Sequence, residues 1–226
     1  MSHTRAMSLF TIAALLSCLA LAVWGCSSPT DDDEDDDLYP LRSSPDSLIA
    51  KFARAYENMD VEAYLDCLAD SMLFYLCEED VENHPELEPG YWAKAVEDSI
   101  HRRMFGGGSP WAVNSISLSL ATTEIETLRA AGDPARTAGW RYEEDADLRV
   151  WVGEDWTFWA QNPSSFVISV DPDDTGPHGE ALYEIGEWRE LDEWGAAERR
   201  EHASWGSIKA LYLVRARTAP TIPASH

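Results

Sequence analysis

The chain has 226 residues, 45% of them hydrophobic, and a formal net charge of -24. This length and apolar content suit a globular protein of one or two domains with a sizeable core. Seven acids form one block at residues 31–37; without that block and Arg5, 16 basic against 34 acidic residues leave -18. Such a field repels phosphate backbones and anionic lipid headgroups, which disfavours nucleic-acid binding and means that membrane attachment needs a separate device.

The N-terminus offers that device. Arg5 precedes an apolar stretch from Met7 to Trp24, which ends in Val23-Trp24-Gly25-Cys26. The stretch is at the lower limit for a transmembrane helix and slightly longer than a usual secretory core. Its end resembles the lipobox of bacterial lipoprotein signal peptides, which implies cleavage before Cys26 and acylation of that cysteine. An uncleaved anchor helix is the alternative. Acyl chains would hold the protein in the bilayer at about 0.8 kcal/mol per buried methylene. Ser27 lacks the acidic character linked to inner-membrane retention, so the expected location is the outer membrane, facing the periplasm.

Residues 1–25 are therefore expected to be a signal peptide and 26–43 a lipidated, acidic tether too poor in apolar side chains to order. Fully extended, residues 27–43 would reach roughly 55 Å. Order begins at Ser44-Pro45-Asp46, an N-cap, a first-turn proline and an acid at the positive end of a helix. Leu48, Ile49, Phe52, Ala55, Tyr56 and Met59 then recur at three- and four-residue spacing. Asp60 caps a shorter helix with Ala63, Tyr64, Cys67 and Leu68 on its buried side. Residues 71–77 read as a strand, 78–90 as an acidic loop and 91–105 as a third helix stopped by Gly106-Gly107-Gly108.

From there the period changes. Ile116, Leu118 and Leu120 alternate with Ser115, Ser117 and Ser119, predicting a half-buried strand. Further strands are expected at 139–152, 156–170, 182–194 and 207–215, with a polar tail at 217–226. Helices followed by successive strands argue for α+β, with the N-terminal helices packed on a curved, mostly antiparallel sheet.

Residues 44–77 resemble the opening of the nuclear-transport-factor-2-like superfamily, which includes ketosteroid isomerases and polyketide-cyclase-like proteins. The likeness lies in a long helix, the Asn58-Met59-Asp60 turn, a short helix ending near Ala69-Asp70, and the aromatic strand Met72-Leu73-Phe74-Tyr75-Leu76. Trp92 in a third helix and the late Trp188, Trp194 and Trp205 follow the same order. The resemblance implies a cone-shaped domain over residues 44–216, enclosing a pocket. Its isomerases need a tyrosine on the first helix and an aspartate on the first strand; those positions hold Phe52 and Leu76 here, so no catalytic residue is assigned.

The residues expected to line a pocket are Phe52, Tyr56, Tyr75, Trp92, His101 and Trp188; alternatively the tryptophans simply fill the core. His101, beside Glu97 and Asp98, is the polar side chain expected to point inward. His84, His178 and His202 are expected at the surface. Asp171-Pro172-Asp173-Asp174-Thr175-Gly176 echoes a calcium loop, but Leu182 stands where a glutamate is required, so a hairpin turn is expected. Cys67 and Cys77, ten positions apart, are either paired or free buried thiols; with no Cys-x-x-Cys or histidine cluster, no metal or cofactor is assigned. The function implied is a membrane-anchored binding domain for an apolar small molecule or an envelope protein. An isomerase- or cyclase-type enzyme with substituted catalytic groups and a homodimeric scaffold are the alternatives.

Overall fold

The structure, a computed structural model, describes residues 38–83, 87, 89–107, 112–153, 156–191 and 204–214. Cys26, the acid block, His84, Trp194, His202 and the C-terminal tail lie outside the described residues. Among the described residues, five helices and six strands run in the order α1 (Pro45–Glu57), α2 (Val61–Leu65), β1 (Leu68–Tyr75), α3 (Glu78–Asn83), β2 (Tyr91–Ala93), α4 (Lys94–Phe105), β3 (Val113–Ala130), β4 (Asp133–Val152), β5 (Trp156–Thr175), β6 (Ala181–Glu190) and α5 (Trp205–Val214). The fold class is α+β. The strands form one curved sheet in the order β2-β1-β6-β5-β4-β3, with β1 and β6 parallel and every other pair antiparallel.

Helix α1 starts as its sequence dictates. The Ser44 hydroxyl accepts from the Ser47 N–H, and the Ser47 hydroxyl accepts from the Ser44 N–H. Its apolar stripe buries Leu48, Ile49, Phe52, Ala55 and Tyr56 against β3 and β6. The chain then reverses through Met59, whose φ of 56° is left-handed, and Asp60 caps α2 by accepting from the Ala63 N–H. At the far edge of the sheet, Glu57 accepts from the Leu118 N–H at 3.0 Å and so satisfies one orphan donor of edge strand β3.

Several elements differ from their sequence reading. The segment expected to be a strand at 207–215 is helix α5. It is buried on several sides, with Trp205, Gly206, Ile208, Lys209, Ala210 and Tyr212 enclosed, so no simple apolar period marks it. The expected loop at 78–90 opens with α3, whose three leading acids suit a helix N-terminus. Tyr91–Ala93 pair with β1 before α4 begins, which shortens the third helix. Strand β3 runs ten residues past Leu120, because cross-strand pairing with β4 continues where core contact has ended; Arg141 to Glu126 at 2.9 Å is one such pair. β5 also extends through Asp171–Thr175 before the turn at Gly176–Gly179.

The tether was expected to run to Ser43, yet Tyr39 and Arg42 are engaged. The Tyr39 hydroxyl donates to Asp60, and the buried Arg42 guanidinium meets Asp66, Asp171 and Asp174 at 3.1–3.3 Å. Burial of an arginine needs such partners, and three acids from distant strands and turns supply them.

Candidate functional site

The space enclosed between the helices and the sheet holds a knot of aromatic rings around one ion pair. Phe52 and Tyr56 come from α1, Tyr64 from α2, Phe74 from β1, Phe166 from β5, Trp188 from β6 and Trp205 from α5; none is more than 1% exposed. Ring centroids lie 4.3 Å apart for Trp188–Trp205, 4.7 Å for Phe74–Trp188 and 5.5 Å for Phe52–Phe166. These are edge-on contacts between tightly packed rings. The Trp205 indole N–H donates to the Tyr56 hydroxyl at 2.9 Å, which in turn faces Met104 Sδ.

Lys209, from α5, enters this knot with its ammonium 3.9 Å from the centre of Phe74 and 3.7 Å from that of Trp188. It pairs with Glu97 Oε1 on α4. Tyr64 donates to the same oxygen at 2.7 Å, and the Trp92 indole donates to Oε2 at 2.6 Å. Burial opposes the charge on Glu97, but the Lys209 ammonium and the Tyr64 hydroxyl overcome it and hold the carboxyl below its ordinary range. Burial lowers Lys209 to about 8, with Glu97 resisting the fall. The pair is thus ionised at neutral pH, and both oxygens of Glu97 have a donor.

His101 is fully buried one turn along α4. Its Nδ1 donates to the Glu97 carbonyl at 2.8 Å, and its ring lies 4.2 Å from Tyr64. Nε2 has no partner among the described residues. Burial pushes its pKa down to about 4, so the ring is neutral.

The structure therefore brings Phe52, Tyr56, Trp92, His101 and Trp188 into one interior cluster. Tyr75 is on the opposite face of β1, under the Arg189 guanidinium at 3.7 Å and beside Tyr91. Tyr64, expected only on a buried helix face, was not among the expected site residues, and neither were Glu97 as a buried acceptor and Lys209. A lysine inside an apolar run, Ile208-Lys209-Ala210-Leu211, was the available signal. Cys67 and Cys77 are free buried thiols; burial pushes Cys67 up to about 12 and raises Cys77 as well.

Clefts also open outside this knot among the described residues. One, of about 360 Å³, is lined by Arg42 and acids including Asp66, Asp70 and Asp171. Another, of about 420 Å³, is lined by Tyr75, Leu76, Glu78, Arg189 and Glu190. Burial and nearby Asp80 raise Glu190 to about 8, so its carboxyl carries a proton at neutral pH.

On the sheet face turned away from the helices, Trp151 and Trp159 are 36% and 37% exposed. Strand alternation puts them with Arg149, Asp147 and Ser115, Ser117 and Ser119, opposite the buried Leu148, Val150 and Ala160. Arg149 lies over the Trp159 ring at 4.9 Å, and the Trp159 indole donates to Asp147 at 2.9 Å.

No family model and no curated protein matches the sequence. Solved structures do resemble it in part. An NTF2-like protein of unknown function from Pseudomonas putida KT2440 is 11% identical, with a TM-score of 0.43 over 70% of this chain and 89% of that one. A nuclear transport factor 2-like superfamily protein from Salmonella enterica is 12% identical, with a TM-score of 0.42 over 67% and 91%. The beta subunit of benzoate 1,2-dioxygenase from Burkholderia mallei is 13% identical, with a TM-score of 0.43 over 64% and 85%.

Proposed function

We propose that this chain is a lipid-anchored envelope protein whose NTF2-like domain is a non-catalytic module that recognises another protein. The observation that carries this is the filled interior: Trp205 and Lys209 of α5 occupy the space where a ligand would sit, with Trp188, Phe74 and Phe52 in van der Waals contact around them. The carboxylate there is already held by three donors. Recognition then falls to the surface. The Trp151, Arg149 and Trp159 cluster, on a carpet of serines, combines the side chains that dominate protein interfaces with small neighbours that let a partner approach. The net negative charge favours a basic partner.

Anchoring rests on Arg5, the apolar stretch and Val23-Trp24-Gly25-Cys26. In cells fed an alkynyl fatty acid, the chain should carry the label and a Cys26→Ser variant should lose it. For recognition, a photo-crosslinking amino acid at Trp159 should give one discrete adduct in the envelope, whereas the same group at buried Ile168 should give none. A dimer-sized adduct would identify a second copy as the partner. A small molecule retained in stoichiometric amount in native mass spectra of the protein from its source cells would overturn the closed-interior reading.

A further inference from the structure

Behind the 420 Å³ cleft, which Glu190 lines, three ligand-type side chains meet that no local spacing could reveal. Cys77 follows the end of β1, Asp80 lies in the first turn of α3, and Glu190 is the last residue of β6. The parallel pairing of β1 with β6, which sets Tyr75 opposite Arg189, draws the ends of those two strands together. One ligand atom from each of the three residues lies within 4.8 Å of the others, and all three residues are buried, with Glu190 5% exposed.

The two oxygens of Glu190 have different fates. Oε1 accepts the Gly206 N–H of α5 at 2.9 Å. Oε2 is buried and has no hydrogen-bond partner among the described residues. The absence of a side chain at Gly206 lets these groups close in: a Cβ there would lie 2.3 Å from Leu76 Cδ2, 2.7 Å from Glu190 Oε2 and 2.8 Å from Asp80 Oδ2, so both oxygens converge on one point beside the Leu76 methyl. Asp80 Oδ2 is steadied by the Ser204 hydroxyl. The nearby cations are engaged elsewhere. Arg189 is turned onto Glu187 at 2.5 Å and the Tyr75 ring, and Lys209 pairs with Glu97.

We propose that Cys77, Asp80 and Glu190 bind a divalent transition-metal cation of the zinc class. A thiolate with two carboxylates suits a borderline cation, whereas calcium and magnesium prefer oxygen alone. Metal–ligand distances of about 2.0–2.3 Å bring tetrahedral donors to roughly 3.5 Å apart, so a modest inward rotation of the side chains completes the site. The Gly206 N–H and the Ser204 hydroxyl act as the outer hydrogen bonds that orient ligand carboxylates. Three protein ligands leave a fourth position for water or another ligand. On binding, the Cys77 S–H and Glu190 O–H bonds break, metal–sulfur and metal–oxygen bonds form, and both protons go to solvent. The site ties α3, β6 and the start of α5 together, and it is independent of the recognition face on the far side of the sheet.

Cobalt(II) is the chosen reporter. The full chain, reduced and freed of metal with a chelator, is titrated anaerobically. One equivalent should produce a thiolate-to-cobalt charge-transfer band with the visible bands of a four-coordinate ion, and zinc should abolish both. Cys77→Ser should remove the charge-transfer band, while Cys67→Ser, with Cys18 and Cys26 retained in both, should keep it. Glu190→Gln should weaken cobalt affinity at least tenfold, and its urea midpoint reports that it folds. The proposal falls if the unaltered chain shows no charge-transfer band, if the band follows Cys67 instead of Cys77, or if folded Glu190→Gln binds cobalt as tightly as the parent.

Discussion

Lys209 and Glu97 show how a single buried pair can hold an aromatic core in one arrangement. Neither charge reaches water, so removing one partner strands the other. Lys209→Met should destabilise the protein by about 3–5 kcal/mol, read as a fall in the urea midpoint. Glu97→Gln combined with Lys209→Met should recover much of that loss; simple additivity of the two changes would refute the coupling. His101 makes a pH-dependent contribution of known sign. In the fold burial lowers it to about 4, whereas the unfolded chain protonates near 6.5. Below pH 6.5 the unfolded state binds the extra proton, so stability present above 6.5 drains away as pH falls toward 4, by on the order of 3 kcal/mol. Against His101→Phe, which removes the titrating ring, the difference in unfolding free energy should narrow across that window. A constant difference from pH 7 to 4 would rule this out.

Among the elements, α5 is the instructive one. Ile208, Ala210 and Tyr212 alternate like a strand, but Ser204 accepts the Ser207 N–H and the Ser207 hydroxyl donates back to the Ser204 carbonyl. This is the same Ser-x-x-Ser start that α1 uses at Ser44 and Ser47, so the helix was legible in its cap and hidden in its period. Its ten residues are buried on more than one side, and a helix enclosed that way shows no amphipathic stripe. Ser204→Ala should therefore cost about 1 kcal/mol by thermal or urea unfolding. Strand β4 has its own tight point at Gly139, where an added Cβ would run into the Ile168 carbonyl oxygen of β5. Gly139→Ala should destabilise by about 1–3 kcal/mol, because the obstacle is backbone and cannot turn aside. An unchanged midpoint would mean that β4 and β5 separate there at no cost.

For the whole molecule, charge sets the expectations. A net charge of -24 makes the compact state repel itself, and clusters such as Asp171, Asp173 and Asp174 concentrate that repulsion. Raising sodium chloride from about 0.01 M to 0.15 M shortens the screening length from roughly 30 to 8 Å. The melting temperature should rise over that range, and a fall would show that attractive pairs such as those of Arg42 outweigh the repulsion.

The chain by itself determined the α+β class, the start of α1 and the tight turn at Met59-Asp60, because caps, apolar period and turn chemistry act between residues a few positions apart. Tertiary structure alone decided the rest. Only the packed fold puts Lys209 from the last described helix against Glu97, 112 positions earlier, and so fills the interior. Only the parallel contact of β1 with β6 brings Cys77 and Asp80 to Glu190. Burial and electrostatic pairing depend on distance in space, and no local period records which distant side chains will share a low-dielectric interior.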